Sequence, residues 1–152
     1  MTRLLSLLAA ALFSTGALAQ VTVLDPWVRA TVPQQKAAGA FMRVQSATAQ
    51  RLVGVSSPVA GRAELHEMAM VNNTMRMRQV DGIDLPAGKP VNLASGGYHV
   101  MLFDLKRQLK EGETVPVTLV LQDGAKKSSV TVEAQVKPLT WVAPQAAGHQ
   151  QH

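Results

Sequence analysis

From residue 21 onward the apolar residues come in short runs of strand-forming side chains instead of recurring every three or four positions. The runs cover 21–24, 39–45, 51–55, 63–68, 74–80, 90–93, 98–105, 114–121 and 128–136. No stretch sustains the 3.6-residue periodicity of an amphipathic helix. Asn72-Asn73, Asp81-Gly82, Pro86-Ala87-Gly88, Gly96-Gly97 and Asp123-Gly124 fall between runs and supply turn chemistry. The Asn72-Asn73 pair separates two methionine-bearing runs and is expected to form a hairpin tip. Many short strands at regular spacing predict an all-β chain, an antiparallel β-sandwich or Greek-key barrel.

The two ends differ from this pattern. Arg3, an apolar run over 4–13 and the small-residue pattern Ala17-Leu18-Ala19 before Gln20 have the layout of a secretory signal peptide cleaved after Ala19. That run is too short for a permanent membrane span, and no later segment approaches the roughly 20 apolar residues a span requires. Export, with no stable membrane insertion after cleavage, is the expectation. Beyond Val142 the composition turns to Ala, Pro, Gly, Gln and His, which cannot build a packed element. The expected organisation is therefore a signal peptide over 1–19, one β-sandwich domain over 20–140 and a flexible histidine-containing tail over 141–152. At this size the domain is expected to be a monomer with a single core.

Composition narrows the chemistry. The 152-residue chain has 15 Lys and Arg against 10 Asp and Glu, with no cysteine. Its basic residues are scattered and its aromatics few, so nucleic acid is not an expected partner. Without cysteine, stability must come from core packing. The same absence matters for metal chemistry, because a thiolate site in an oxidising compartment competes with disulfide formation and a thioether site does not.

The candidate chemistry is carried by His66, Met68, Met77, His99 and Met101. Ten residues lie between His66 and Met77, and twenty-one between Met77 and His99. Residues two apart on a strand share a face, so His66 with Met68, Met75 with Met77, and His99 with Met101 form same-face pairs. If the elements that bear them are neighbours, two imidazoles and one or two thioethers converge. Such a neutral, soft donor set suits Cu(I), whereas zinc prefers thiolates or carboxylates. A single Met in a strand is ordinarily core filler. Here four of the six methionines beyond residue 19 lie between 68 and 77 and a fifth follows His99 by two, and core filler has no reason to track histidine.

His66-Glu67-Met68, Met77, His99 and Met101 together resemble the H(M)X10MX21HXM motif of the PCu(A)C family of periplasmic copper chaperones. Asp25-Pro26-Trp27-Val28-Arg29-Ala30, Met75-Arg76-Met77-Arg78, 81–88 and 96–102 are similar to that family as well, and the resemblance runs from about Val21 to Val136. It implies a cupredoxin-like Greek-key β-sandwich in which His66, Met77, His99 and Met101 bind Cu(I). Met68 occupies the parenthesised position, so its role as a ligand is open. No ligand role is implied for Met70 or Met75. The resemblance also implies a periplasmic location and delivery of copper to the CuA subunit of cytochrome c oxidase, directly or with a Sco-type copper protein. Trp27 is expected in the core, Arg29 as a structural ion-pair or hydrogen-bond partner, and Glu67 solvated on the face opposite His66. In the tail, His149 and His152 form an H-x-x-H pair that could take Cu(II) or be inert.

Other functions fit less well. A blue-copper electron carrier needs a cysteine ligand. A copper-dependent oxidase would need a site open to redox cycling on several histidines, whereas thioethers bias this one toward Cu(I). An enzyme is therefore not expected, and the alternative within the same chemistry is a periplasmic copper storage or scavenging protein.

Overall fold

The computed structural model describes residues 21–94 and 96–143. The expected signal peptide over 1–19 and the tail histidines His149 and His152 lie outside them. Ten strands run in the order β1 (Val21–Arg29), β2 (Ala37–Ser46), β3 (Gln50–Ser56), β4 (Ala60–Val71), β5 (Thr74–Gln79), β6 (Ile83–Leu85), β7 (Val91–Leu93), β8 (Tyr98–Leu105), β9 (Thr114–Asp123) and β10 (Lys126–Lys137). They pair as β5-β4-β8-β2-β1-β10-β9-β3-β6, with β7 also on β2. The path wraps a core of Val28, Ala40, Val44, Leu52, Leu65, Leu93, Val100, Leu102, Val117, Leu119 and Val136. This is the expected all-β, cupredoxin-like sandwich. No helix among the described residues is long and apolar enough to cross a membrane.

Three features depart from the pattern read along the chain. First, β1 pairs with β10 in parallel, so the sheet is mixed and not wholly antiparallel. Second, the opening strand does not stop at Leu24. Its pairing with β2 shifts by one residue between Leu24 and Trp27, across Asp25, whose φ is +50°. One inserted residue reverses which face later side chains take. Trp27 consequently joins Phe41 on the face away from the core, while Val28 enters the core opposite Ala40. Third, Ile83–Leu85, read as connection between two turn signals, is a short strand that buries Ile83 and Leu85 beside β3.

The outward Trp27 is covered all the same. Its ring meets Phe41 at 4.5 Å and Trp141 at 4.6 Å between centroids. Arg29 lies 5.0 Å over Trp27 and donates to the carbonyl oxygens of Leu139 at 2.8 Å and Trp141 at 3.2 Å. Arg29 thus has the hydrogen-bonding role expected of it, whereas Trp27, expected in the core, is buried on the outer face because of the bulge, and Trp141, expected at the start of the tail, is packed on the domain. Replacing Trp141 by Ala should cost about 1–2 kcal/mol by urea unfolding, since an aromatic pair adds about 0.5–1.5 kcal/mol to the area it buries. No change in the unfolding midpoint would show that the strap contributes nothing.

Candidate metal centre

The site is built on β5, β4 and β8. Asn72 and Asn73 both have positive φ, +50° and +62°, the backbone of a two-residue hairpin turn. The turn sets the register of β4 on β5, in which Met68 faces Met77 and His66 faces Gln79. On the other edge of β4, His66 faces His99 and Glu64 faces Met101. Because side chains alternate, Glu64, His66, Met68, Met77, His99 and Met101 all lie on one face, while Leu65, Val100 and Leu102 of the same strands enter the core. The same-face pairs read from the sequence are therefore neighbours. Met101 also faces Gly39 of β2. A Cβ there would lie 2.6 Å from the Phe41 ring, so the absence of a side chain lets that ring lie over the strand beside Met101.

The two histidines are buried, at 8% and 6% exposure for His66 and His99, with ring centroids 5.9 Å apart. His99 Nδ1 lies 3.2 Å from the Gly97 carbonyl oxygen and donates to it, which leaves Nε2 with a lone pair. That lone pair faces Met77 Sδ at 2.8 Å. The Gly97 carbonyl also accepts from Met68 N–H at 3.1 Å, tying the two strands where the site begins. On His66, Nε2–H donates to Glu64 Oε2 at 2.7 Å, and Nδ1 is buried with no partner. A buried unpaired imidazole nitrogen is costly unless something binds it. With His99 protonated on Nδ1, two nitrogen lone pairs and a thioether sulfur remain as a donor set for a soft cation.

Glu64 was not singled out in the sequence. It orients His66 and is itself held by an ion pair with Arg62, which lies 4.5 Å over the Phe103 ring. The hydrogen bond from His66, followed by that from Arg62, holds the Glu64 carboxyl below the usual carboxylate range against the opposing effect of burial. Glu64 is thus ionised at neutral pH, and its bond to His66 is lost only as pH falls through that lowered range. A carboxylate behind a histidine fixes the tautomer and ring of a metal ligand. Glu64 was legible from its place two residues before His66, but an acid on a strand has many other uses. Glu67 is on the opposite face as expected, yet it pairs with Arg78 and is not simply solvated. Among the described residues, no three His, Cys, Asp or Glu side chains are grouped to hold a metal ion.

Residues 21–136 match the LpqE-like family, whose description is "Putative lipoprotein LpqE-like". The chain belongs to this family, the PCu(A)C family of the resemblance. It is similar to the copper-bound PCuAC domain from PmoF2, 27% identical with a TM-score of 0.63, covering 80% of this chain and 96% of that one. It is also similar to the Cu(I) form of DR1885 from Deinococcus radiodurans, 34% identical with a TM-score of 0.56 over 81% of this chain and 83% of that one. A curated relative, "Putative lipoprotein Lxx21020" of Leifsonia xyli subsp. xyli (strain CTCB07), is 34% identical over 106 residues, 69% of this chain. The chain spans 64% of that relative's length. Homology to copper-binding PCuAC domains supports a copper-handling function.

The carboxylate of Glu64 and the carbonyl of Gly97, both acceptors, favour one tautomer on each ring. In metal-free protein at neutral pH, long-range 15N–1H spectra should show neutral His99 as Nδ1–H and neutral His66 as Nε2–H. The reverse assignment on His99 would make Nε2–H a donor to Met77 Sδ and would overturn the reading of Nε2 as a free lone pair.

Proposed function

We propose that the chain is an exported, non-enzymatic Cu(I) carrier that binds one ion through His66, Met77, His99 and Met101 and gives it to a thiolate acceptor. The observation that carries this reading is the free Nε2 of His99 facing Met77 Sδ at 2.8 Å, directly across the strands from His66. Met101 completes the set from the position two beyond His99, on the same face. Met68, facing Met77, is a fifth donor within the same rungs. All are neutral, so bound Cu(I) keeps its single positive charge, and no bond to a thiolate opposes release.

The gradient of exposure supports carriage over storage. The imidazoles are buried, whereas Met77 is 48% exposed, so the ion is anchored from inside and reachable from outside. An acceptor approaching from solvent can replace the thioethers one at a time. Thiolates bind Cu(I) more tightly than thioethers, which makes transfer to a two-cysteine site downhill. The CuA subunit of cytochrome c oxidase and a reduced Sco-type protein are acceptors of that chemistry, and the family resemblance points to the same destinations. The signal-peptide layout of 1–19 supports a periplasmic location. His149 and His152 would add a Cu(II)-binding pair at the far end of the chain.

Loss of the two thioethers should weaken binding without unfolding the protein, since Met to Leu nearly conserves volume. A Met77→Leu/Met101→Leu variant should lose more Cu(I) affinity in a competition titration than the roughly 10–100-fold that removal of an outer-layer partner costs. Unchanged affinity would remove both residues from the shell. Glu64→Gln should itself fall within that roughly 10–100-fold range, and an unaltered affinity would make Glu64 a bystander. Protons compete for imidazole nitrogen and not for thioether sulfur. Affinity should therefore fall as the solution is acidified from neutral pH, and a flat profile would exclude histidine ligation. Mixed with a reduced, metal-free CuA domain, the Cu(I)-loaded protein should give up its metal in one direction. Copper that stays in place would mark a store instead.

A further inference from the structure

The hairpin tip carries two methionines that neither the core nor the histidine cluster uses. Met70 and Met75 face each other across β4 and β5, one rung beyond Met68 and Met77 and on the same face. The two-residue turn makes Val71 and Thr74 the hydrogen-bonded pair that closes the hairpin. Met70 with Met75, and Met68 with Met77, then both occupy non-hydrogen-bonded positions, where facing side chains approach most closely, with Cβ atoms about 4.5–5.5 Å apart. Successive rungs on one face are about 7 Å apart. Four thioethers thus form a two-by-two ladder whose inner end meets His99.

Core packing does not explain the outer rung. Met70 is 64% and Met75 47% exposed, and β5 is an edge strand with no buried residue. A large exposed hydrophobe on a sheet edge invites association, and β-branched residues serve a strand better. Thioether sulfur is what methionine adds. By the alternation of the strand, Arg76 and Arg78 take the other face, where Arg78 is engaged by Glu67, so the ladder face carries no cationic side chain from β5 to repel a metal ion.

We propose that Met70 and Met75 form a second, weaker site for a soft monovalent cation, a hand-over position through which Cu(I) passes to and from the buried histidines. The relay role rests on the carrier reading above. The step is ligand exchange at constant oxidation state: a Cu–S bond to Met68 or Met77 forms as one to Met70 or Met75 breaks, and no proton or electron moves. Two neutral sulfurs leave positions open on the ion, which a donor or acceptor protein fills with its own ligand. That incomplete shell makes the site weak, as a hand-over position must be.

Ag(I), a diamagnetic soft monovalent ion, is the probe, added to the whole chain labelled with 13C at the methionine methyl groups. The first equivalent should shift the methyls of Met77 and Met101, and the second those of Met70 and Met75. In a Met70→Leu/Met75→Leu variant, the first-equivalent shifts should persist and uptake of the second equivalent at the ladder should be lost. The tail histidines bear no methyl and are silent in this readout. If Met77 and Met101 respond but Met70 and Met75 stay unshifted at excess Ag(I), the second site does not exist and the carrier reading stands. If Met70 and Met75 shift together with the first equivalent, they belong to one shell and the hand-over position is overturned. If no methionine methyl moves, both readings fail.

Discussion

The register of β4 against β8 is the constraint on which the rest of the site depends. His66 faces His99 only because Leu65 faces Val100 and Ala63 faces Leu102 on the other side of the same strands. A slip of one residue would turn the histidines into the core and leave Leu65, Val100 and Leu102 in water. Burying each such side chain is worth about 1.5–3 kcal/mol, so the core holds the register far more firmly than an unfilled metal site could. The second edge of β4 is held differently. There the Asn72-Asn73 turn sets the pairing, and β5 contributes no buried residue. The imidazoles thus sit where packing is strong and Met77 where it is weak.

This division suits a protein that must both hold and release an ion. The nitrogen donors are pre-oriented: Gly97 fixes one ring and Glu64, backed by Arg62, fixes the other. Their ordering is complete before any metal arrives, which lowers the cost of binding. Met77 stands on an exposed edge hairpin, where it can exchange partners without disturbing the core, while Met101 is half-buried on β8. The aromatic face of β1 and β2, closed by Trp141, continues the same side of the sheet and stiffens the ground beside Met101.

Much of this was legible along the chain because it depends on alternation alone. Same-face pairing of His66 with Met68 and of His99 with Met101 follows from a period of two, and the Asn-Asn pair marked the hairpin that carries Met77. What was not legible depends on non-local geometry. Asp25-Pro26 reads as a strand end, yet it is a bulge that continues β1 and sends Trp27 outward. Ile83–Leu85 is too short to show alternation and is flanked by turn residues on both sides. The parallel pairing of β1 with β10 joins strands about a hundred residues apart, which no local pattern records. Glu64 is ambiguous for a different reason: its spacing from His66 allows the contact, but its role comes from side-chain bonds to His66 and Arg62 that the sequence does not show.

The central claim is that this face binds Cu(I) through both nitrogen and sulfur, with the buried histidines and the exposed methionines in one shell. X-ray absorption at the copper edge of the protein loaded with one equivalent of Cu(I) tests it most directly, because it counts neighbours by element. The account predicts a shell containing both imidazole nitrogen and thioether sulfur, with two nitrogens and one or two sulfurs. A shell of sulfur alone, or of nitrogen and oxygen without sulfur, would contradict it.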